Sequence, residues 1–245
     1  MRLLLAALLV AAAPVTARAV TMEVAPVIID LGRAAPSAVV TIRNGGTAVT
    51  RYQLTAASWT EARTGEPKLE ASQDLSIFPP LFQLGPGEER KIRVGALGQP
   101  GPTERAWRLF IEELPDALSA SPTGASVRIR TRFALAVFLA PALPQRSATL
   151  SLARSERGAT VTVKNTGNSR VKPGALAVVF LGAEQERLHV VELPAVSVLA
   201  GAEQVVELQV PADVCAKVRT ATLSAEIEGE KRSEELALPA GACAP

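Results

Sequence analysis

The sequence predicts an all-β protein made of two sandwich domains, and three observations support this fold class. Short segments in which apolar and polar residues alternate recur along the chain, with Gly, Pro or Asn between them. Such alternation is typical of strands with one buried face. The chain does not sustain the 3.6-residue period of an amphipathic helix. Finally, two short motifs occur twice in the same order, which indicates a duplicated domain.

The alternating segments are short and rich in Val, Ile or Leu, as strands of β-sandwiches are. In the first half of the chain the predicted strands are Met22–Ile29, Ala38–Arg43, Arg51–Trp59, Glu89–Val94, Ala106–Leu114 and Val127–Leu139. In the second half they are Thr149–Leu152, Ala159–Lys164, Ala175–Leu181, His189–Leu193, Gln204–Val210, Thr220–Glu226 and Lys231–Leu238.

The repeated motifs place the domain boundary. Thr41–Gly46 matches Thr162–Gly167, and Leu84–Glu89 loosely matches Leu199–Gln204. Chance is the alternative for such short matches, but they keep their order and nearly the same spacing. We therefore predict a first domain over residues 20–140, a proline-containing linker over 141–145 and a second domain over 146–245.

Residues 1–19 predict a cleaved secretory signal peptide. Met1 and Arg2 precede an uncharged run that ends at Ala13, and the small residues Ala17 and Ala19 follow. This order is typical of secretory signals. A membrane anchor is the alternative, but the run is shorter than the roughly 20 residues that span a bilayer. No later uncharged run approaches that length, so we expect no membrane span after cleavage.

Charge and cysteine content limit the partners and indicate the compartment. Removing residues 1–19 takes away Arg2 and Arg18, so Lys plus Arg falls from 26 to 24, against 24 acidic residues. A neutral mature chain gives no electrostatic basis for binding nucleic acid or an anionic membrane. Cys215 and Cys243 are predicted to form one disulfide, because secreted chains fold in an oxidising compartment. Two free thiols are the alternative.

The sequence offers no basis for an enzyme, a metal site or a cofactor. Its single histidine, His189, lies inside a predicted strand, and metal ligation or triad chemistry would need further partners. Glu112 and Glu113 are adjacent in a strand, so their carboxylates point to opposite faces and cannot act as a pair. The chain contains no nucleophile elbow, zinc motif or phosphate loop. A hydrolase therefore has no motif behind it.

The segment Val127–Pro141 combines an apolar face with a cationic face. One parity holds Val127, Ile129, Thr131, Phe133 and Leu135, and the other holds Arg128, Arg130 and Arg132. Successive side chains of a strand point to opposite faces. Such a strand either belongs to the core of its own domain or completes the sheet of another protein.

Three motifs follow one another in the first domain. Residues 78–94, FPPLFQLGPGEERKIRV, contain a Pro-Pro step, Leu-x-Pro-Gly and a basic strand, and residues 104–115, ERAWRLFIEELP, form the next strand. Val127–Pro141 then ends in F-x-x-P. In this order the motifs resemble those of the PapD-like periplasmic pilus (fimbrial) assembly chaperones. The resemblance covers Met22–Pro144, and beyond Pro144 it extends to size and strand pattern.

The resemblance implies two immunoglobulin-like sandwiches in an L-shaped arrangement, located in the bacterial periplasm. It also implies donor-strand complementation, in which a pilus subunit lacks its last strand and the chaperone lends one of its own. The lent strand would be Val127–Leu139, and its residues facing the subunit would be Val127, Ile129, Thr131, Phe133 and Leu135. Pilus or fimbrial subunits would be the partners, together with an outer-membrane usher. A secreted two-domain binding or adhesion module, which keeps this strand in its own core, is the alternative.

The sequence departs from the family at the anchor for the subunit's C-terminal carboxylate. Most members use an Arg in the first strand and a Lys in the last, whereas Pro26 and Ala136 hold those positions here. We hypothesise that Arg130 and Arg132, on the same parity as Ala136, take over this contact, because Arg binds carboxylates bidentately. The alternative is a solvated face that keeps an edge strand from self-pairing.

A second departure concerns the boundary between the domains. Ala140 replaces a basic residue that bridges the two domains in many members of the family. Glu104 is therefore expected to lack that partner.

Overall fold

The computed structural model describes residues 22–62, 65–115, 130–156 and 158–239, and these form two β-sandwiches. The strands of the first are β1 (Met22–Ala25), β2 (Ile28–Leu31), β3 (Ser37–Asn44), β4 (Thr50–Glu61), β5 (Pro67–Ala71), β6 (Leu75–Phe78), β7 (Leu81–Leu84), β8 (Glu89–Ala96), β9 (Arg105–Glu113) and β10 (Arg132–Leu139). Those of the second are β11 (Ala148–Ser155), β12 (Gly158–Asn165), β13 (Gly174–Leu181), β14 (Arg187–Leu193), β15 (Glu203–Gln209), β16 (Thr220–Ile227) and β17 (Glu230–Ala237). One helical turn, α1 (Ala212–Cys215), precedes β16. The all-β prediction is confirmed.

Two sheets face each other in the first sandwich. One has the strand order β1-β3-β8-β6, and the other has the order β2-β10-β9-β4-β5, with β7 also paired to β4. Their facing side chains form one apolar core, in which Tyr52, Ile92 and Trp107 are almost completely buried. Burying a large apolar side chain contributes roughly 1.5–3 kcal/mol, so this core holds the two sheets together.

Strand β9 shows how alternation in the sequence sets the two faces of a sheet. Trp107, Leu109 and Ile111 point into the core and are 1%, 0% and 0% exposed. Arg108 and Phe110 lie on the opposite face, where they are half-buried. The alternation expected of the predicted strand Ala106–Leu114 thus gives β9 one buried face and one outer face, and the outer face belongs to the site described below.

The predicted strand Met22–Ile29 is wrong as a single element, because the chain divides at Pro26. The first part, β1, pairs with β3 in one sheet, and β2 pairs with β10 in the other. Proline has no N–H for a ladder hydrogen bond, so one ladder cannot continue through Pro26. The division places β2 beside β10.

Strands β5, β6 and β7 were not predicted from the sequence. Every residue of β5 is exposed, so its side chains show no alternation between buried and exposed positions. Strands β6 and β7 have four residues each and flank Pro79 and Pro80. Segments this short are defined by the strands they pair with, here β8 and β4, rather than by their own periodicity.

The second sandwich packs the sheet β11-β12-β15 against the sheet β14-β13-β16-β17. Its core is a separate apolar cluster that includes Val161, Phe180 and Leu223. All the strands predicted in this half occur, with shifted ends. Cys215, buried at the end of α1, is disulfide-bonded. Cys243, the other cysteine in the sequence, lies outside the described residues.

A buried asparagine closes one end of the first sandwich. Asn44, which is 0% exposed, donates from Nδ2 to the carbonyl oxygens of Ala48 (2.8 Å) and Leu84 (3.0 Å). Its Oδ1 accepts the Gly46 N–H at 2.9 Å. Three hydrogen bonds thus offset the cost of burying a polar amide.

Asn165 makes the same set of contacts in the second sandwich. Its Nδ2 donates to the carbonyl oxygens of Ser169 (2.8 Å) and Val198 (3.0 Å), and its Oδ1 accepts the Gly167 N–H at 2.8 Å. Asn165 is 1% exposed. In each domain the Asn backbone N–H also donates to the segment of the second repeated motif, to the Glu88 carbonyl in the first and to the Ala202 carbonyl in the second, as expected for a duplicated unit.

The connection between the sandwiches runs from the end of β10 to the start of β11, and the predicted linker 141–145 lies within it. Asn168 holds this connection in place. Its Oδ1 accepts the Gln145 N–H at 2.7 Å, and its Nδ2 donates to the carbonyl oxygens of Leu143 (3.0 Å) and Pro102 (2.8 Å).

Among the described residues, no helix has the length and apolar character needed to cross a membrane.

Candidate functional site

Strand β10 has two halves with different surroundings. Along its whole length, from Arg132 to Leu139, it pairs with β9. On its other side it pairs with β2, but only over Ala136–Leu139. No described strand covers that side of Arg132–Leu135. The first half of β10 is therefore a sheet edge, and the second half is an interior strand.

The backbone groups at this edge can be assigned from the hydrogen bonds around it. The Ala136 N–H donates to the Val27 carbonyl on the β2 side, at 3.2 Å. The Thr131 carbonyl accepts the Glu113 N–H from the β9 side, at 3.1 Å. Backbone directions alternate along a strand, so the N–H and C=O groups of Arg132 and Ala134 point toward the side that β2 does not reach. A sheet edge of this kind can bind a further strand.

The apolar face of β10 belongs to the first domain's own core. Leu135 is 1% exposed and lies in the core cluster, so the prediction that it faces a partner is wrong. Phe133 is half-buried and packs against the same cluster. The odd-numbered residues of β10 point toward the facing sheet. Where that sheet covers them, as it covers Leu135, they become part of the core. Val127 and Ile129 lie outside the described residues.

Arg132 is engaged within its own sheet. Its Nε lies 2.6 Å from Oε1 of Glu112, the residue opposite it on β9. Its guanidinium also lies over the Phe110 ring, 3.8 Å from the ring centroid. Arg132 therefore already has a carboxylate partner. Arg130 is exposed, and its role as an anchor stays a prediction.

The outer face of the six-stranded sheet, named here the cleft face, continues from this edge toward the second domain. At that end, Leu199 and Ala202 of the second domain pack against Trp59 and Phe138. Strand register places these first-domain side chains on the cleft face: Trp59 on β4, Arg108 and Phe110 on β9, and Ala134, Ala136 and Phe138 on β10.

The two positions at which the family resemblance implies an anchoring Arg and Lys carry no charge. Pro26 is exposed between β1 and β2. Ala136 is 8% exposed, and its Cα partners are Ile28 on β2 and Arg108 on β9. A guanidinium thus lies one strand away from the alanine. Sequence reasoning missed Arg108 because pairing between β9 and β10 cannot be read from either strand alone.

Glu104 has a partner in the second domain, Arg170, which was not predicted from the sequence. Its Oε1 accepts the Arg170 N–H at 3.0 Å, and its Oε2 accepts a hydrogen bond from Arg170 Nη1 at 2.8 Å. Arg170 also pairs with Asp30 and lies over the Phe138 ring. The second domain thus supplies the cationic partner of Glu104, since Ala140 holds the position of the basic residue that bridges the domains in many members of the family. Burial raises the pKa of Glu104, and the contacts with Arg170 oppose that shift.

A cavity of about 160 Å³ lies between the domains beside this contact and is lined by Trp59, Glu61, Glu104 and the 199–202 segment. Oε2 of Glu61 accepts the Leu199 N–H at 3.0 Å. Burial raises the pKa of Glu61 and lowers that of Arg108. The two groups favour each other's charged forms, although no salt bridge joins them.

The described residues contain no group of His, Cys, Asp and Glu side chains that could hold a metal ion. His189 lies in β14 and stacks on Phe180, with ring centroids 6.1 Å apart. The edge of β10 and the cleft face present backbone groups, apolar side chains and guanidinium groups, which suit binding of a polypeptide.

A family model matches residues 20–145, and its description is "Pili and flagellar-assembly chaperone, PapD N-terminal domain". The chain belongs to this family, and the predicted PapD-like membership is confirmed. The match includes both sheets of the first domain and the whole of β10. No curated protein matches the chain.

Solved structures of similar fold include chaperones bound to their subunits. The CsuC–CsuE chaperone–tip adhesion subunit complex of Acinetobacter baumannii has 15% identity and a TM-score of 0.58, covering 88% of this chain and 98% of that one. The Salmonella enterica SafB chaperone with SafA pilin gives 12% and 0.54, covering 89% and 96%. The E. coli chaperone DraB gives 12% and 0.53, with the same coverage. The likeness spans both sandwiches, so the two-domain immunoglobulin-like fold is confirmed.

Proposed function

We propose that this protein is a periplasmic chaperone that binds pilus or fimbrial subunits by donating the edge of β10. The observation that carries the proposal is the incomplete cover of β10, since β2 pairs with Ala136–Leu139 but not with Arg132–Leu135. A strand fixed in a sheet by one half and open along the other can receive an added strand without unfolding. Membership of the assembly chaperone family supports the same conclusion.

The backbone supplies one half of the proposed contact. Arg132 and Ala134 direct N–H and C=O groups outward, and these can pair with a strand of the subunit. The side chains at odd-numbered positions supply the other half of the contact, since Phe133 lies at the boundary of the core. Thr131, Ile129 and Val127 continue this parity, and we propose that they fill the groove of a subunit that lacks its final strand. Such a groove would otherwise aggregate.

The partners follow from this mechanism. A pilus subunit is proposed as the bound protein, and an outer-membrane usher as the acceptor to which it is delivered. The role is one of binding and release, with no catalytic step. Chaperones of similar fold have been crystallised with a tip adhesion subunit and with a pilin, which supports this assignment. A secreted adhesion module would need no open edge beside its core.

The test is co-expression with a pilin-like subunit from the same bacterium, followed by co-purification. Ala134→Pro removes an N–H that points to the open side and leaves the ladder to β9 intact. We expect this variant to lose most of the subunit complex while retaining its fold. Ala134→Val is the matched control, since it keeps the N–H and suits a strand. Complex formation that survives Ala134→Pro unchanged would overturn the donor-strand proposal.

A further inference from the structure

The cavity between the two sandwiches has polar groups on its first-domain side and short side chains on its second-domain side. Trp59, Glu61 and Glu104 supply the polar groups, and residues 200–202, Ala-Gly-Ala, supply much of the opposite wall. No side chain of that segment is longer than a methyl group, so the segment does not reach across the space. The volume of about 160 Å³ exceeds the roughly 10–15 Å³ that a cavity needs to hold one water molecule.

The indole N–H of Trp59 has no acceptor from the protein. Trp59 is 8% exposed, and its Nε1 is buried with no hydrogen-bond partner among the described residues. The ring is held in place, because the Arg108 guanidinium lies 3.8 Å from its centroid and the Phe138 ring packs against it with centroids 5.8 Å apart. A buried indole N–H ordinarily has an acceptor. Since Trp59 lines the cavity, the cavity is where such an acceptor can lie.

Glu61 supplies an acceptor on the same wall of the cavity. It lies two residues beyond Trp59 on β4, so the two side chains leave the same face of the strand. Positions two residues apart on a strand are separated by about 7 Å. One bridging molecule can join side chains at that spacing through two hydrogen bonds of about 2.9 Å each. A carboxylate has about four acceptor sites, so Glu61 can accept a bridge in addition to the Leu199 N–H.

The polar groups of the cavity define the chemical class of the bridging molecule. It must accept a hydrogen bond from Trp59 and donate one to Glu61. An anion such as chloride has no proton to donate to a carboxylate, and a metal ion or an ammonium group cannot accept an N–H. A neutral hydroxyl group does both, and water is the smallest molecule that carries one. Bridging waters of this kind are nearly as favourable in enthalpy as direct hydrogen bonds.

We propose that an ordered water molecule in the interdomain cavity accepts the Trp59 N–H and donates to the Glu61 carboxylate. Because Glu61 also accepts the Leu199 N–H at 3.0 Å, the water completes a relay of hydrogen bonds from β4 to the second domain. The two sandwiches are then joined by a water-mediated contact beside the direct contact between Glu104 and Arg170. This inference is independent of what the protein binds.

A crystal structure of the mature protein, grown without polyols or other hydroxylated additives, tests the site directly. We expect density for a water molecule within about 3.2 Å of both Trp59 Nε1 and a Glu61 carboxylate oxygen. In solution, the Trp59 indole N–H should show a nuclear Overhauser effect to a long-lived water molecule. Absence of the density, a protein acceptor at Trp59 Nε1, or absence of the water contact in solution would each overturn the proposal.

The variant Glu61→Ala removes the acceptor at the other end of the bridge. The water contact of the Trp59 indole N–H should then lose most of its intensity, and the resonance of this proton should move upfield. Glu70→Gln is the matched control, since Glu70 is an exposed acid on β5 that does not line the cavity, and it should leave both signals unchanged. A water contact that persists unchanged in Glu61→Ala would contradict the bridge. If Glu61→Ala does not fold, the two measurements on the unsubstituted protein still decide the question.

Discussion

Arg170 joins the two sandwiches by donating two hydrogen bonds to the Glu104 carboxylate, one from its backbone N–H and one from its guanidinium. The Glu104 side chain is 3% exposed, whereas that of Arg170 is 19% exposed. The carboxylate is thus the deeply buried member, and its charge depends on a residue of the other domain. The same guanidinium rests on Phe138 of β10. One side chain of the second domain thus contacts both Glu104 and strand β10 of the first domain.

Arg170→Leu should strongly destabilise the protein, because it leaves the Glu104 carboxylate buried without its ion pair. Breaking a buried pair from one side costs about 3–5 kcal/mol. We expect urea unfolding at neutral pH to show a loss near the lower end of that range. Arg187→Leu, at an exposed position of β14, should change the unfolding free energy by less than about 0.5 kcal/mol.

Glu104→Gln combined with Arg170→Leu should recover part of this loss, since no buried charge then remains. A single Arg170→Leu variant as stable as Arg187→Leu would show that the pair does not hold the domains together.

Asn44→Ala and Asn165→Ala should destabilise different sandwiches by similar amounts. Each removes three hydrogen bonds from a buried site, and we expect a loss of about 2–4 kcal/mol. Both tryptophans of the chain, Trp59 and Trp107, lie in the first domain. Tryptophan fluorescence should therefore register the Asn44 variant, and circular dichroism should register both. A fluorescence midpoint lowered equally by both substitutions would mean that the sandwiches do not unfold separately.

Glu61 should contribute to the change of the unfolding free energy with pH. Burial raises the pKa of its carboxyl group in the folded protein. A carboxyl with a higher folded than unfolded pKa contributes stability that is complete below the unfolded pKa and is lost as pH rises through the folded pKa. Glu61→Gln should therefore match the wild type near pH 4 and be at least as stable at pH 7. Chemical denaturation across this interval measures the difference, and a variant that is weaker only at pH 7 would contradict the assigned sign.

Reduction of the Cys215 disulfide should destabilise the second sandwich. A disulfide that closes the loop from Cys215 to Cys243 contributes about 3 kcal/mol by constraining the unfolded chain. We expect the circular dichroism transition to move on addition of reductant and the tryptophan fluorescence transition to stay in place. Mass spectrometry of unreduced peptides should find Cys215 linked to Cys243. A mixture of free thiols in the secreted protein would refute the predicted pairing.

The sequence predicted those features that depend on the alternation of residues along one strand. Alternation along the predicted strand Ala106–Leu114 places Trp107 and Arg108 on opposite faces of β9, and this is correct. The duplicated turns followed from the repeated Asn motifs, because in each turn the Asn Oδ1 accepts the N–H two residues further along the chain. Alternation also indicated that Leu135 shares a face with Phe133, and this is correct.

The features that escaped prediction depend on which strands become neighbours. Parity groups side chains by face but cannot say what covers each face, so Leu135 was assigned to a partner rather than to the domain's own core. The Arg170 partner of Glu104 comes from a distant part of the chain. The position of Arg108 beside Ala136 depends on the pairing of β9 with β10. These relationships are set by tertiary pairing, which no local pattern encodes.

Amide hydrogen exchange along β10, measured in the free protein and in its complex with a pilus subunit, tests the donor-strand account most directly. In the free protein the amides of Phe133 and Leu135, which point toward β9, should be protected, and those of Arg132 and Ala134 should exchange rapidly. In the complex the Arg132 and Ala134 amides should become protected by at least about tenfold. Exchange at Arg132 and Ala134 that is slow in the free protein, or unchanged in the complex, would contradict the donation of this edge.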